Sequence, residues 1–403
     1  MSLNDSESTP KVVLSYGLGE DSTAILLRWI TDPASRDFDL HELAVVVAMT
    51  GSEWDSTRMA LEEHVLPRVA AAGIRFIQVA RGQRHVTTAG DGVVVLSDSR
   101  TPTQLYIEGG YSLYQEMTEA GTIPQSGGAR LCSVHAKGDV LDPVIARITR
   151  GRRYRHVMGF EAGEQRRADK DALFNTDRRT GEYPLIDWGW SRADAIDYTR
   201  SILGTSVGKS ACTFCPFSFA NKSSRAEIFA RYAESPEVGA RTLLMEHLAL
   251  ALNPAQGLVG GRRLIDMLRE HQLGNVLDAF EEICEGHEHA IYEIRRILRP
   301  RKTDPTKLGN AARSVRIRGR GPRATMRNIL ARLAADGAAQ NKVRPDIGDD
   351  GILRVYQHER GPVFPTVERY FVVAPALALP KEHANFDQWW TQALATEAMQ
   401  TAA

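Results

Sequence analysis

Residues 11–30 read KVVLSYGLGEDSTAILLRWI. A short β-rich run gives way to a glycine-bearing turn, and apolar residues at helical spacing follow. The same order recurs down the first half of the chain, and this alternation constrains the fold more than any other feature. LAVVVAMTG reads as a second buried strand, and STRMALEEHVLPRVAAAG as a helix stopped by Gly73. IRFIQVAR is a third strand, AKGDVLDPVIARITR a helix despite Pro143, and YRHVMGF a further strand. YPLIDWG reads as extended, ahead of a helix SRADAIDYTRSI capped by Ser191. Such alternation predicts an α/β fold with a doubly wound, mostly parallel sheet covered on both faces.

Elsewhere the pattern changes. Residues 82–130 are rich in Gly, Thr and Ser with weak periodicity, as expected of an insertion or long loop. From about residue 222 the pattern is helical, and after about 350 it is β-like again. A chain of 403 residues exceeds one ordinary core. The expected division is a disordered N-terminus (1–10), a nucleotide-binding domain (11–221), a helical basic domain (222–340) and a small C-terminal β/helix segment (341–403).

Fifty basic and fifty acidic residues cancel, so any affinity for nucleic acid needs a local patch. The N-terminus lacks a basic-then-apolar signal pattern and no apolar run reaches membrane-spanning length, which predicts a cytoplasmic protein with no membrane partner. Four cysteines are too few for a disulfide scaffold, but Cys212 and Cys215 form a C-x-x-C that suggests metal or redox chemistry.

In a doubly wound sheet, ligands gather beyond the carboxyl ends of the strands. That rim receives SYGLGEDST and MTGSEWDST. Gly17 and Gly19 allow close approach of an anion to the backbone, and the helix opening near Asp21 favours negative charge. Ser15, Ser22 and Thr23 add hydroxyls. Glu20 is the anomaly: beside a phosphate it has to point away or hold Mg²⁺, unless it is simply a solvated first-turn acid.

These residues carry a resemblance. SYGLGEDST resembles the PP-loop, Ser-Gly-Gly-x-Asp-Ser, and the chain is similar to the phosphoadenosine-phosphosulfate (PAPS) reductase-like branch of the adenine nucleotide alpha hydrolases. Further similar segments follow in the family's order over about residues 11–220. They are MTGSEWDST; RLCSVHAK, matching at Arg130, Cys132 and Lys137; MGFEAGEQRRA, matching at Gly159, Glu164, Arg166 and Arg167; YPLIDWGWSRADAIDY; and GKSACTFCPFS. The departures lie in the loop itself. Gly17 and Leu18 stand for the first serine and first glycine of the core, and Glu20 stands where a lysine is usual.

The resemblance implies a HUP-like PP-loop domain that binds ATP with Mg²⁺ and splits it between the α- and β-phosphates, in sulfur transfer or nucleic-acid modification. It implies cofactor contacts at Ser15, Tyr16, Gly17, Gly19, Asp21, Ser22, Thr23, Thr50, Gly51, Gly159 and Glu164. Asp21 would support Mg²⁺, Thr50 and Gly51 would meet the adenosine, and Lys137, Arg166 and Arg167 would clamp phosphate oxygens. Cys132, Cys212 and Cys215 would hold a [4Fe-4S] cluster with one open iron. Zn²⁺ on those three with His135, or unligated thiols, are the rival readings. Two alternatives differ in class. One is a thiol-dependent PAPS reductase, disfavoured because no cysteine follows Cys284. The other is a non-catalytic nucleotide-binding subunit of a mobile-element, defence or type IV CRISPR nucleoprotein system. The arginine-rich stretch 295–332 is the candidate contact for nucleic acid or a nucleoprotein partner, though it carries no aromatics for base stacking.

Overall fold

The computed structural model describes residues 3–4, 6–124 and 131–402. They form two compact units, Met1–Glu116 with Ser126–Cys215 and Met117–Gln125 with Pro216–Ala403.

The first unit is built on β1 (Val12–Ser15), β2 (Leu43–Met49), β3 (Arg75–Arg81), β4 (Val93–Ser99), β5 (Tyr154–Met158) and β6 (Arg179–Glu182). Their order is β4-β3-β2-β1-β5-β6, parallel throughout except for β4, which runs antiparallel along β3. The apolar runs are continuous because both faces of the sheet are buried. Val12, Leu14, Val45 and Val47 pack to one side with Ile25, Trp29, Leu61 and Leu203. Val13, Val46, Ile77 and Val79 pack to the other with Val140, Val144 and Ile148. The chain winds outward from β1 to β4, then returns to lay β5 on the opposite edge of β1. The β1/β5 boundary is therefore the topological switch point, where an open α/β sheet leaves a crevice.

Two details of this unit differ from the sequence expectation. The stretch 82–130 contributes an edge strand, β4. YPLIDWG is a short helix, Pro184–Asp187, because Pro184 sits at its first turn, where a missing N–H costs nothing.

The second unit opens with helices Lys222–Glu234, Pro236–Leu252, Leu264–Glu270 and Gly274–Gly286. It then forms an antiparallel sheet of β7 (His289–Arg301), β8 (Asp304–Gly321), β9 (Arg344–Ile347), β10 (Leu353–His358) and β11 (Thr366–Pro375), ordered β8-β7-β11-β10-β9. Helix Arg323–Ala339 supplies Met326 and Leu330 to one sheet face, while Leu248 and Leu252 of helix Pro236–Leu252 meet the other. The expected helical domain 222–340 is thus corrected, since its second half is largely strand. SVRIRGR alternates apolar and charged residues, with Val315 opposite Ile294 and Ile317 opposite Tyr292. That period of two places Arg316, Arg318 and Arg320 on the other face.

Candidate functional site

A cavity of about 1020 Å³ opens at the switch point. Its lining joins the turn after β1 to the end of β5, the helix Asp139–Thr149 and the segment before Cys212. Ser15, Tyr16, Gly17, Gly19, Asp21 and Ser22 all line it. The turn is knotted by the Ser22 hydroxyl, which accepts the Gly17 N–H (3.2 Å) and donates to the Gly19 carbonyl (3.3 Å). Helix Glu20–Thr31 begins at Gly19 with no side-chain cap, so its first-turn N–H groups are left for a ligand. Gly159 lines the same crevice, and a Cβ there would lie 3.0 Å from the Ser22 nitrogen. Only glycine lets the end of β5 approach the helix so closely.

Leu18 adopts φ +62°, the left-handed conformation. The backbone keeps the shape that a glycine would supply, and leucine bears the strain while burying its side chain in the core.

Asp21, Asp142 and Asp171 are the acids that line the cavity, and Asp21 is the one on the glycine turn. One oxygen meets Arg192 at 3.1 Å, while Oδ1 is buried with no hydrogen-bond partner among the described residues. Burial raises its pKa against the opposing pull of Arg192. A carboxylate beside a cavity, with one buried oxygen left unpartnered, suits a hard cation such as Mg²⁺, which binds through one or two carboxylates plus substrate oxygens.

Lys137, Arg167, Arg192 and Lys209 also line the cavity. Lys137 sits on a π-helical turn, Val134–Gly138. Arg167 is held by Glu164 at 2.6 Å and lies over the Phe160 ring, which stacks on Tyr183. Glu164 therefore acts on Arg167 and does not line the cavity.

A polar chain runs along the cavity floor. His156 of β5 is 2.8 Å from the Ser15 hydroxyl through Nε2, and its Nδ1 accepts from Arg179 at 2.9 Å. Arg179 pairs with Asp171 at 2.7 Å, and Asp171 also accepts the Tyr183 hydroxyl. Arginine only donates, so Nδ1 is bare and Nε2 carries the proton to Ser15. Burial, then the Arg179 charge, pushes the His156 pKa down to about 4.

Several expected site residues lie elsewhere. The Thr23 hydroxyl is taken by Tyr16 at 2.8 Å, both side chains being buried. Thr50 donates to Glu53 through N and Oγ1, and Gly51 lies against Ser112, so neither reaches the cavity. Leu141, Ile145 and Met158 form the apolar wall instead. Arg166 is exposed and outside the lining, and Arg130 falls outside the described residues.

Among the described residues, no three of His, Cys, Asp and Glu are grouped to hold a metal ion. Burial, then the Glu53 charge, pushes the Cys212 thiol up to about 12. Burial, then Cys215, raises Cys132. His135 is engaged with Glu116 at 3.0 Å. Cys215 is the charge neighbour shared by Cys132 and Cys212, so the three cysteines lie near one another. Cys284 is buried core.

Sequence reasoning missed Arg192, His156, Arg179 and Lys209. The position of His156 in strand β5, two residues before Met158, is the only sequence signal that it shares a face with the site. The arginines carry no such signal, because Arg179 opens the short strand β6 and Arg192 opens a separate helix.

In the second unit, the basic stretch 295–332 is largely neutralised. Arg295 and Arg316 pair with Glu382, Arg296 with Glu368, Arg318 and Arg369 with the fully buried Glu293, and Arg323 with Glu281 and Glu285. Arg313 donates to the carbonyls of Ala120 and Gly121. The β7–β8 hairpin end keeps Arg301 and Lys302 exposed, with Lys307 paired only to Asp304.

No family model, curated protein or solved structure matches this chain. Among the described residues, no helix is long and apolar enough to cross a membrane.

Proposed function

We propose that the first unit is an adenine-nucleotide-binding PP-loop domain of the PAPS reductase-like kind, which binds ATP with Mg²⁺ and cleaves it between the α- and β-phosphates. One observation carries this reading. At the β1/β5 crevice a single cavity joins an uncapped glycine turn to Lys137, Arg167, Arg192 and Lys209, with one orphaned carboxylate oxygen on Asp21. Uncapped N–H groups and clustered cations suit a polyphosphate, and the apolar wall of Leu141, Ile145 and Met158 suits a flat base.

The turn and the first-turn N–H groups hold the β- and γ-phosphates, and Lys137 and Arg167 neutralise charge on the phosphate oxygens. An acceptor oxygen attacks the α-phosphorus, the bond from that phosphorus to the α–β bridging oxygen breaks, and pyrophosphate leaves. With water as acceptor the other product is AMP. Asp21 would hold Mg²⁺, which supplies Lewis-acid charge neutralisation when bound. No step passes through the cysteines.

The test incubates the full-length protein with ATP and Mg²⁺, quantifies AMP and pyrophosphate, and competes ATP against PAPS. Equal amounts of AMP and pyrophosphate support the proposal. ATP bound without turnover converts the reading to a non-catalytic nucleotide-binding subunit, and a preference for PAPS converts it to the reductase.

A further inference from the structure

Glu20 occupies the position where the resembling loops carry a lysine, yet it does not face the cavity. Its side chain is buried, and Oε1 accepts the Ser206 hydroxyl and the Gly208 N–H, the latter at 2.9 Å. Gly208 has φ +76°, so it turns the chain sharply at that bond. Two residues on, the Ser210 hydroxyl donates to the Gly17 carbonyl. A Cβ on Gly19 would sit 3.2 Å from the Ser210 side chain, so the segment is pressed directly against the glycine turn. Lys209 lies between these two anchors. It is half-buried, lines the cavity beside Gly17, Gly19, Asp21 and Ser22, and has no ion-pair partner among the described residues.

We infer that Glu20 and Ser210 clasp the segment 206–210 onto the glycine turn so that Lys209 provides the phosphate-binding ammonium that the loop itself lacks. The ligand class is the terminal phosphates of a nucleoside triphosphate, or pyrophosphate. The acid at position 20 is then not a charge beside the phosphate. It accepts two hydrogen bonds from the segment that delivers the cation. This inference rests on the phosphate-site reading above.

The experiment titrates pyrophosphate and ATP, each with and without Mg²⁺, into the full-length protein and the variants K209A, K209R and E20Q. Thermal melts establish that each variant is folded. Loss of one charge-assisted contact predicts about tenfold to a hundredfold weaker binding in K209A, with K209R recovering part of it. E20Q decides the role of the acid by sign. A clasp predicts weaker binding with Mg²⁺ dependence retained, because a neutral amide oxygen holds the Ser206 hydroxyl and the Gly208 N–H less strongly than a carboxylate does. An acid facing the phosphate predicts tighter binding, and an acid holding the metal predicts lost Mg²⁺ dependence; either result overturns the clasp. Binding by wild type with K209A unchanged overturns the assignment of Lys209 alone. No binding by wild type overturns the phosphate site and Lys209 together.

Discussion

His156 offers a direct test of the cavity floor. The ring is buried between a hydroxyl that it serves as donor and an arginine that it serves as acceptor. A second proton would have to enter at Nδ1, against the Arg179 guanidinium. In the folded protein the pKa falls from 6.5 to about 4, while the unfolded chain keeps the ordinary value. Above pH 6.5 both states are neutral and His156 makes stability no function of pH. Between pH 6.5 and 4 the unfolded state takes up a proton that the folded state refuses, so stability falls as pH falls. At about 1.4 kcal/mol per pH unit the full loss is about 3 kcal/mol. His247 and His289 run in the same direction, whereas Glu246, held up to about 7 by burial, runs the opposite way. Only the difference between wild type and H156Q isolates the effect. Urea denaturation at pH 7.5 and 4.5 should show H156Q losing about 3 kcal/mol less than wild type on acidification. Histidine-selective ¹⁵N NMR should show a neutral ring protonated at Nε2 down to pH 5. In R179M the ring should titrate higher, though still below 6.5, because burial is the larger cause and remains. An imidazolium at pH 6, a proton on Nδ1, or equal acid sensitivity in H156Q and wild type would refute the hydrogen-bond chain.

Three further outcomes follow from the same geometry. Glu246 is buried and accepts the N–H groups of Leu258 (2.8 Å) and Leu264 (2.7 Å) on separate oxygens; E246Q can satisfy only one and should lose about 1–3 kcal/mol in urea denaturation, with no loss ruling out the double acceptor. At the hairpin end, joint alanine replacement of Arg301, Lys302 and Lys307 should lower the log–log salt slope for single-stranded oligonucleotide binding by about 2, at roughly 0.7 per phosphate contact, and an unchanged slope removes this end as the contact. At Leu18 the left-handed backbone should invert a common order: L18G should be no less stable than L18A, although both lose the buried side chain, and a clear advantage for alanine in thermal melts would contradict the φ of +62°.

Much of the first unit was legible in the sequence because parallel strands buried on both faces write themselves as unbroken apolar runs. LAVVVAM is β2 in full, every residue of it buried. The rim position of Gly17, Gly19, Asp21 and Ser22 followed from that winding. In the second unit, arginine density concealed the two-residue period of SVRIRGR. Charge along a strand describes one face only, and the apolar alternates describe the other. Arg295, Arg296 and Arg316 are neutralised by Glu368, Glu382 and Asp387, which lie 66 to 92 residues further along the chain, so composition in a window could not pair them. Thr50 and Gly51 do not line the cavity. They do stand at a strand end, but Glu53 folds back onto the Thr50 N–H and hydroxyl and closes that rim.

The loop's departures from the PP-loop pattern are linked to one another in the structure. Leu18 keeps the left-handed turn that a glycine would have given, so the carbonyl of Gly17 still faces outward to meet Ser210. Gly19 leaves room for that serine, where a Cβ would sit 3.2 Å away and force it to shift. Glu20, relieved of any role at the phosphate, is free to be buried and to accept from Ser206 and Gly208. Alone, Leu18 would weaken an anion site through strain and Glu20 through repulsion. Together they fasten one segment, and that segment carries a lysine into the cavity. A residue-by-residue comparison scores position 20 as a lost cation, whereas the geometry moves the cation to position 209, in a separate segment of the chain.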